Sequence, residues 1–307
     1  NKDTVLQVGE WYFKECVKGR HHPKRTRPKR ESTMRNEKYH FDTVIVPALG
    51  RFKLSELSRA QIQSFINDLA DQRSIGTAQK CHVVLHAIYV FGLMHEIIDH
   101  NPCQMVVAAK HPERDRVLTD AELKAAWEAL LPPVQIEGAS ITANVACSIL
   151  IAITTLQRRG EIMGMQLNEL DRDKMLWNIP ASRTKNHRSH IVPLSELTLE
   201  LIDLALSVRT GSSDYVFESP RAIGCPALPA AMTRGFGRVR KALELTDMRV
   251  HDFRRTGSTN LTGEGGLGFN RFIVSRVLNH AGDTGGASAT TGRYDKNDYL
   301  PEKRRAL

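Results

Sequence analysis

The sequence predicts a mainly α-helical protein with a small antiparallel β-hairpin or sheet, divided into a helical first domain and an α+β second domain. Three observations carry that expectation. The chain has 307 residues, and at roughly 100–200 residues per domain two domains are the natural division. No strand pattern precedes residue 110, whereas helix caps and helical apolar spacing recur there. Two short β-type runs, KMLWNI at residues 174–179 and RSHIVP at 188–193, flank a polar connection and read as one hairpin. The expected boundaries are a first domain over 1–110, a linker over 111–118 and a second domain over 119–307.

The elements follow in order. Residues 5–17 are amphipathic, and the chain then breaks into GRHHPKRTRPKRE. Ser58 and Gln61 form a capping box ahead of Ile62, Phe65, Ile66 and Leu69. A longer helix is expected from Thr77, carrying Val83, Val84, Ala87, Ile88, Phe91 and Leu93 and closed by Asn101-Pro102. HPERDR at 111–116 is polar and holds a proline, which suits a linker. Thr119 and Glu122 form a second capping box, and residues 141–156 read as a buried apolar helix. After the hairpin, helices are expected over 195–208, 228–245, 248–261 and 271–279. Residues 281–292, AGDTGGASATTG, hold four glycines and no large side chain, so a mobile segment is expected there.

Composition narrows the function classes. At 41% hydrophobic and 25% charged residues the chain is globular rather than disordered. Forty-three Lys and Arg against 34 Asp and Glu give +9, which points to a polyanionic partner, nucleic acid first. Residues 1–110 hold 17 basic and 11 acidic residues (+6), and the remainder holds 26 and 23 (+3). Residues 20–30 contain six Lys or Arg, among them Lys24, Arg25, Arg27, Lys29 and Arg30. These are candidates for phosphate contact, since each cation meeting a phosphate releases counterions; a solvated basic loop is the plain alternative. No apolar run reaches the ~20 residues of a membrane span, and no signal peptide or basic amphipathic helix is evident. A cytoplasmic protein with no membrane partner is therefore expected. The chain begins with Asn1, so a trimmed N-terminal segment is also expected. Cysteines 16, 81, 103, 147 and 225 form no CxxC pair and no Cys/His metal spacing, so reduced, mostly buried thiols and no metal site are expected. There is no Walker-type glycine loop either, and no cofactor is expected.

Five local features bear on chemistry, each weak alone. TLQRRGE places Arg158 three residues before Glu161, the ordinary spacing of a surface helix pair. Lys185 sits at the tip of the hairpin. His251 and Arg254 stand three apart on one helix face. His280 closes a helix in LNH, where it could simply cap the dipole. Tyr294, in TTGRYD, follows the glycine-rich stretch. Together they supply two arginines, a lysine, two histidines and a nucleophilic hydroxyl, a set suited to phosphoryl transfer without a metal.

In that order, the stretches TTLQRRGEI, TKNHRSHIVPLS, HDFRRTGST, RFIVSRVLNHAG and TTGRYDKNDYLPEKRRAL resemble the catalytic domain of tyrosine recombinases, specifically phage-type integrases. HFDTVIVPALGRFKLSEL and the helix after it are more loosely similar to the family's core-binding domain. The resemblance implies that Arg158 and Arg254 clamp the scissile phosphate and that Lys185 protonates the departing 5′-oxygen. It implies that His251 assists proton transfer, His280 hydrogen-bonds a phosphate oxygen, and Tyr294 attacks to leave a 3′-phosphotyrosine. Tyr299 is the rival nucleophile, and Arg159 the rival of Arg158. The sequence departs from the family in having Leu156 where glycine is usual, Leu-Asn-His for Leu-Gly-His, and thirteen residues between His280 and Tyr294. The partners implied are double-stranded DNA attachment sites, a homo-tetramer on DNA in a synaptic complex, and accessory DNA-bending or directionality factors. The C-terminal tail is expected to dock on a neighbouring protomer. A type IB topoisomerase and an inactive DNA-binding integrase remnant are the alternatives.

Overall fold

The computed structural model describes residues 3–24, 27–112, 114–132, 140–209, 211–245, 247–263, 265–280 and 297–307. It falls into two compact units, Asn1–Arg114 and Asp115–Leu307.

The first unit is helical. α1 (Val5–Lys18) opens with a Thr4/Gln7 capping box and ends on Gly19 at φ 74, the left-handed cap that glycine tolerates. α2 (Glu31–His40) continues through a π-turn over Phe41–Ile45 into α3 (Val46–Leu49). α4 (Arg59–Gln72) starts at the expected Ser58/Gln61 box. α5 (Ile75–Met94) begins two residues before Thr77, because Ser74 is the cap and its hydroxyl accepts the Thr77 N–H. Val8, Tyr12, Phe41, Ile45, Ile62, Ile66, Val84, Ile88 and Phe91 meet in the core of this unit.

The second unit is built round α7 (Ala143–Thr155), whose residues 146–152 are all buried. Helices α9 (Glu196–Ser207), α10 (Pro229–Ala242), α11 (Val250–Leu261) and α6 (Asp120–Leu130) pack against it. Thr119 and Glu122 cap α6 as expected. The hairpin is present as β2 (Leu176–Ile179) and β3 (His190–Pro193), with β1 (Leu170–Asp171) on the outer side of β2. Its register places Leu176 opposite Pro193 and Ile179 opposite His190. Trp177, Ile179 and Val192 turn into the core. A second hairpin, β4 (Glu218–Ser219) and β5 (Ala222–Pro226), gave no sequence signal: β5 is almost wholly exposed, so it carries no apolar alternation.

Two of the short helices among the described residues bear on the site, α8 (Arg159–Met163) and α12 (Arg271–Val277). The tail helix α13 (Leu300–Ala306) packs on β3 and α12 of its own unit. Lys303 is 4% exposed and donates from Nζ to the Ile191 carbonyl at 3.1 Å, while Ala306 and Leu307 rest on the cluster of Leu156, Leu261, Val274 and Leu278. Among the described residues, no helix is long and apolar enough to cross a membrane.

Candidate active site

The site is assembled where four segments of the second unit end. α7 stops at Leu156, which takes the left-handed conformation (φ 55, ψ 22) and reverses the chain. Gln157 is then buried, and its Nε2 donates to the carbonyls of Thr155 (2.7 Å) and Val277 (3.0 Å), tying the end of α7 to the end of α12. Arg158 is the N-cap of α8. Its Nη1 donates to Glu161 Oε1 at 3.2 Å and its Nη2 to the Asn279 carbonyl at 3.2 Å. Glu161, 3% exposed, also accepts the Arg158 N–H at 3.1 Å.

Arg254 comes from α11 and is 5% exposed. Its Nη1 donates to the Leu156 carbonyl and its Nη2 to the Leu278 carbonyl, so the guanidinium spans the two helix ends. Three of its five N–H donors are outside those bonds. Burial, and then the charge of Arg158, pulls it down to about 10, with Glu161 acting in the opposite direction. Two guanidinium groups therefore share one buried carboxylate, which leaves a positive site short of an anion. His251, one turn earlier on α11, is held below the ordinary imidazole value by burial and by Arg254, which favours a neutral ring at pH 7.

Lys185 lies on the loop between β2 and β3. Buried Thr184 shapes that loop: its hydroxyl donates to the Arg188 carbonyl at 2.7 Å and accepts the Arg188 N–H at 3.2 Å. Arg158, Lys185, His251 and Arg254 all line one cleft of about 520 Å³. Arg159, Arg240 and Arg249 line it too. Sequence reasoning passed over Arg240 and Arg249 as site residues; the only signal was Arg249's position two residues before His251. His280 is exposed and stands one residue past Asn279, whose carbonyl holds Arg158. Tyr294 lies outside the described residues. Tyr299 caps α13, with its ring edge-on to Phe272 at 5.1 Å and the Arg276 guanidinium over its face. No group of His, Cys, Asp or Glu among the described residues is arranged to hold a metal ion.

In the first unit, Lys24 and Arg27 are exposed and Arg30 is the N-cap of α2; Arg25 lies outside the described residues. Lys29 is placed differently from the expectation of phosphate contact. Its ammonium is held at 2.7 Å from Glu37 and 2.5 Å from the Tyr12 hydroxyl, with both charged side chains only 12% exposed. Its charge is spent inside the protein.

The chain shares its fold with solved integrase structures. It matches a lambda integrase tetramer bound to a Holliday junction, with TM-score 0.68 and 17% identity over 93% of this chain and 80% of that one. It also matches the Tn1549 transposon integrase in complex with circular intermediate DNA, with TM-score 0.63 and 17% identity over 94% and 99%. The chain belongs to the phage integrase family, whose model matches residues 116–299, and the family's N-terminal SAM-like domain matches residues 25–70. Among relatives, prophage integrase IntA of Escherichia coli K12 is 22% identical over 85% of this chain. A putative integrase/recombinase of Haemophilus influenzae is 25% identical over 67%. The chain spans 60% of the length of the first and 55% of the second.

Proposed function

We propose that the chain is a site-specific DNA recombinase that cleaves and rejoins strands through a 3′-phosphotyrosine link, integrating or excising a mobile element or prophage. The observation that carries this is the convergence of Arg158, Lys185, His251 and Arg254 on one cleft, from three separate stretches of sequence. Arg158 and Arg254 are each anchored by two side-chain hydrogen bonds and keep further donors for the non-bridging oxygens of a phosphodiester. Being preorganised, they meet the charge that builds up on a pentacovalent phosphorus without reorganising. Tyr294 is the nucleophile of this reading. Its phenol oxygen bonds to phosphorus as the P–O5′ bond breaks; neutral His251 takes the phenolic proton, and Lys185 gives a proton to the departing 5′-oxygen. His280 hydrogen-bonds a phosphate oxygen. One phosphoester replaces another of similar energy, so neither ATP nor a metal is required, and attack by the 5′-hydroxyl of a second duplex completes the exchange.

Two duplexes exchanged in this way require four tyrosines, hence a homo-tetramer on double-stranded attachment sites, with accessory DNA-bending or directionality factors. The setting is the cytoplasm, at the nucleoid.

The test is covalent capture from a pool of nicked duplexes of randomised sequence. Wild-type protein should form a protein–DNA adduct, and Tyr294→Phe should lose it while still binding DNA. An adduct that survives Tyr294→Phe and disappears with Tyr299→Phe would move the nucleophile. Relaxation of arbitrary supercoiled DNA without strand exchange between duplexes would make the protein a topoisomerase.

A further inference from the structure

Asn279 sits where three parts of the candidate site meet. It is the left-handed residue (φ 49) that ends α12. Its N–H donates to the Arg276 carbonyl at 3.3 Å, and the His280 N–H returns to the Ser275 carbonyl at 3.0 Å, the paired bonds of a Schellman cap. Glycine is the residue such a cap ordinarily takes, because a Cβ is disfavoured at positive φ. Asparagine is the usual second choice there, at a small backbone cost relative to glycine. Its Nδ2 is also buried with no hydrogen-bond partner among the described residues.

Those two costs come with one bond that glycine could not make. Asn279 Oδ1 accepts from Asn186 Nδ2 at 2.7 Å, across 93 residues of sequence. The Asn279 carbonyl accepts from the same Nδ2 at 3.4 Å and from Arg158 Nη2 at 3.2 Å. Asn186 directly follows Lys185, and its Oδ1 accepts the Arg188 N–H at 3.2 Å, so its amide is braced within the loop while it reaches out. One residue thus joins the Lys185 loop, the Arg158 guanidinium and the turn that carries His280.

We propose that Asn186 and Asn279 form a latch that positions Lys185 for proton transfer to the leaving 5′-oxygen; this rests on the DNA-cleavage reading above. Lys185 is exposed on a loop, and its long side chain has many rotamers. Proton transfer needs the ammonium within about 3 Å of the leaving oxygen, so the loop's anchorage decides how often that geometry is reached. Asn186 and Asn279 are positioning residues and touch no reacting atom.

The test compares cleavage of an ordinary nicked duplex with cleavage of the same duplex carrying sulfur in place of the 5′-bridging oxygen. A thiolate leaves without needing a proton. Asn186→Ala and Asn279→Gly should each slow cleavage of the oxygen substrate by roughly ten- to a hundred-fold with DNA binding unchanged. On the sulfur substrate both should approach the wild-type rate, as should Lys185→Ala. Variants equally slow on both substrates, or as fast as wild type on oxygen, overturn the latch. A second readout is independent of activity: backbone ¹⁵N relaxation of residues 184–188 should show lower order parameters in Asn279→Gly. Unchanged order would also overturn the latch. A wild-type chain that forms no covalent adduct would refute the cleavage reading and leave relaxation to decide the latch.

Discussion

Leu156 occupies the space that a side chain on Gly257 would need. A Cβ built on Gly257, in the middle of α11, would collide with Leu156 Cδ2. Leu156 takes the left-handed conformation at the end of α7, and its carbonyl there accepts from Arg254. The two residues therefore fit as a pair. A leucine stands at a turn suited to glycine, and a glycine on the facing helix leaves it room.

Gly257→Ala should cost about 1–3 kcal/mol by overpacking. Leu156→Gly should relieve roughly 1 kcal/mol of backbone strain but lose the contacts Leu156 makes with Leu261, Val274 and Leu278. If the fit is real, the double variant will cost less than the two single ones combined, because alanine at 257 meets no leucine. Denaturant unfolding of all four proteins closes the cycle, and strictly additive costs would deny the coupling.

Much of this was legible beforehand, for local reasons. The Ser58/Gln61 and Thr119/Glu122 capping boxes are three-residue patterns and need no tertiary partner to be read. HDFR and RRGE likewise place charges by helical spacing. Asn186, Asn279, Arg240 and Arg249 could not be found that way, because they meet the site only through the fold. The tail was ambiguous for another reason: Leu300 and Leu307 show that DYLPEKRRAL covers something apolar, but not whose surface it covers.

The tail makes a stability prediction of its own. Deleting residues 299–307 should uncover part of the Leu156, Leu261, Val274 and Leu278 cluster and remove the Lys303–Ile191 bond. The second unit should lose about 1–3 kcal/mol, the worth of one buried apolar side chain. Thermal unfolding of the truncated protein at a concentration where it is monomeric will show this. An unchanged midpoint would mean that the tail contributes nothing to its own unit.

The basic stretch of the first unit separates into two kinds of cation. Lys24→Gln with Arg27→Gln should flatten the salt dependence of DNA binding, by up to about one log–log unit per lost phosphate contact. Lys29→Gln should leave the slope alone and instead destabilise the protein by on the order of 3 kcal/mol, since it strands Glu37 beside Tyr12. A slope that falls with Lys29→Gln but not with the Lys24 and Arg27 pair would reverse this assignment.

His190 sets an acid limit on the second unit. It is 5% exposed on β3, and its Nε2–H donates to the Val277 carbonyl at 3.1 Å, a bond that by itself favours the protonated ring. Burial, then the charge of Lys303 in the tail, pulls its pKa from 6.5 down to about 3. Because the folded value lies below the unfolded one, the unfolded chain binds the extra proton. The stability is intact above about pH 6.5 and is lost progressively as pH falls from there toward 3. Between pH 7 and pH 5 the loss from this one ring is about 2 kcal/mol. His190→Gln keeps an N–H for the Val277 carbonyl but has nothing to titrate. Denaturant unfolding at both pH values should therefore show wild type losing about 2 kcal/mol more than the variant on acidification. Equal losses would mean that His190 accepts its proton in the folded state, and that burial does not hold the ring neutral.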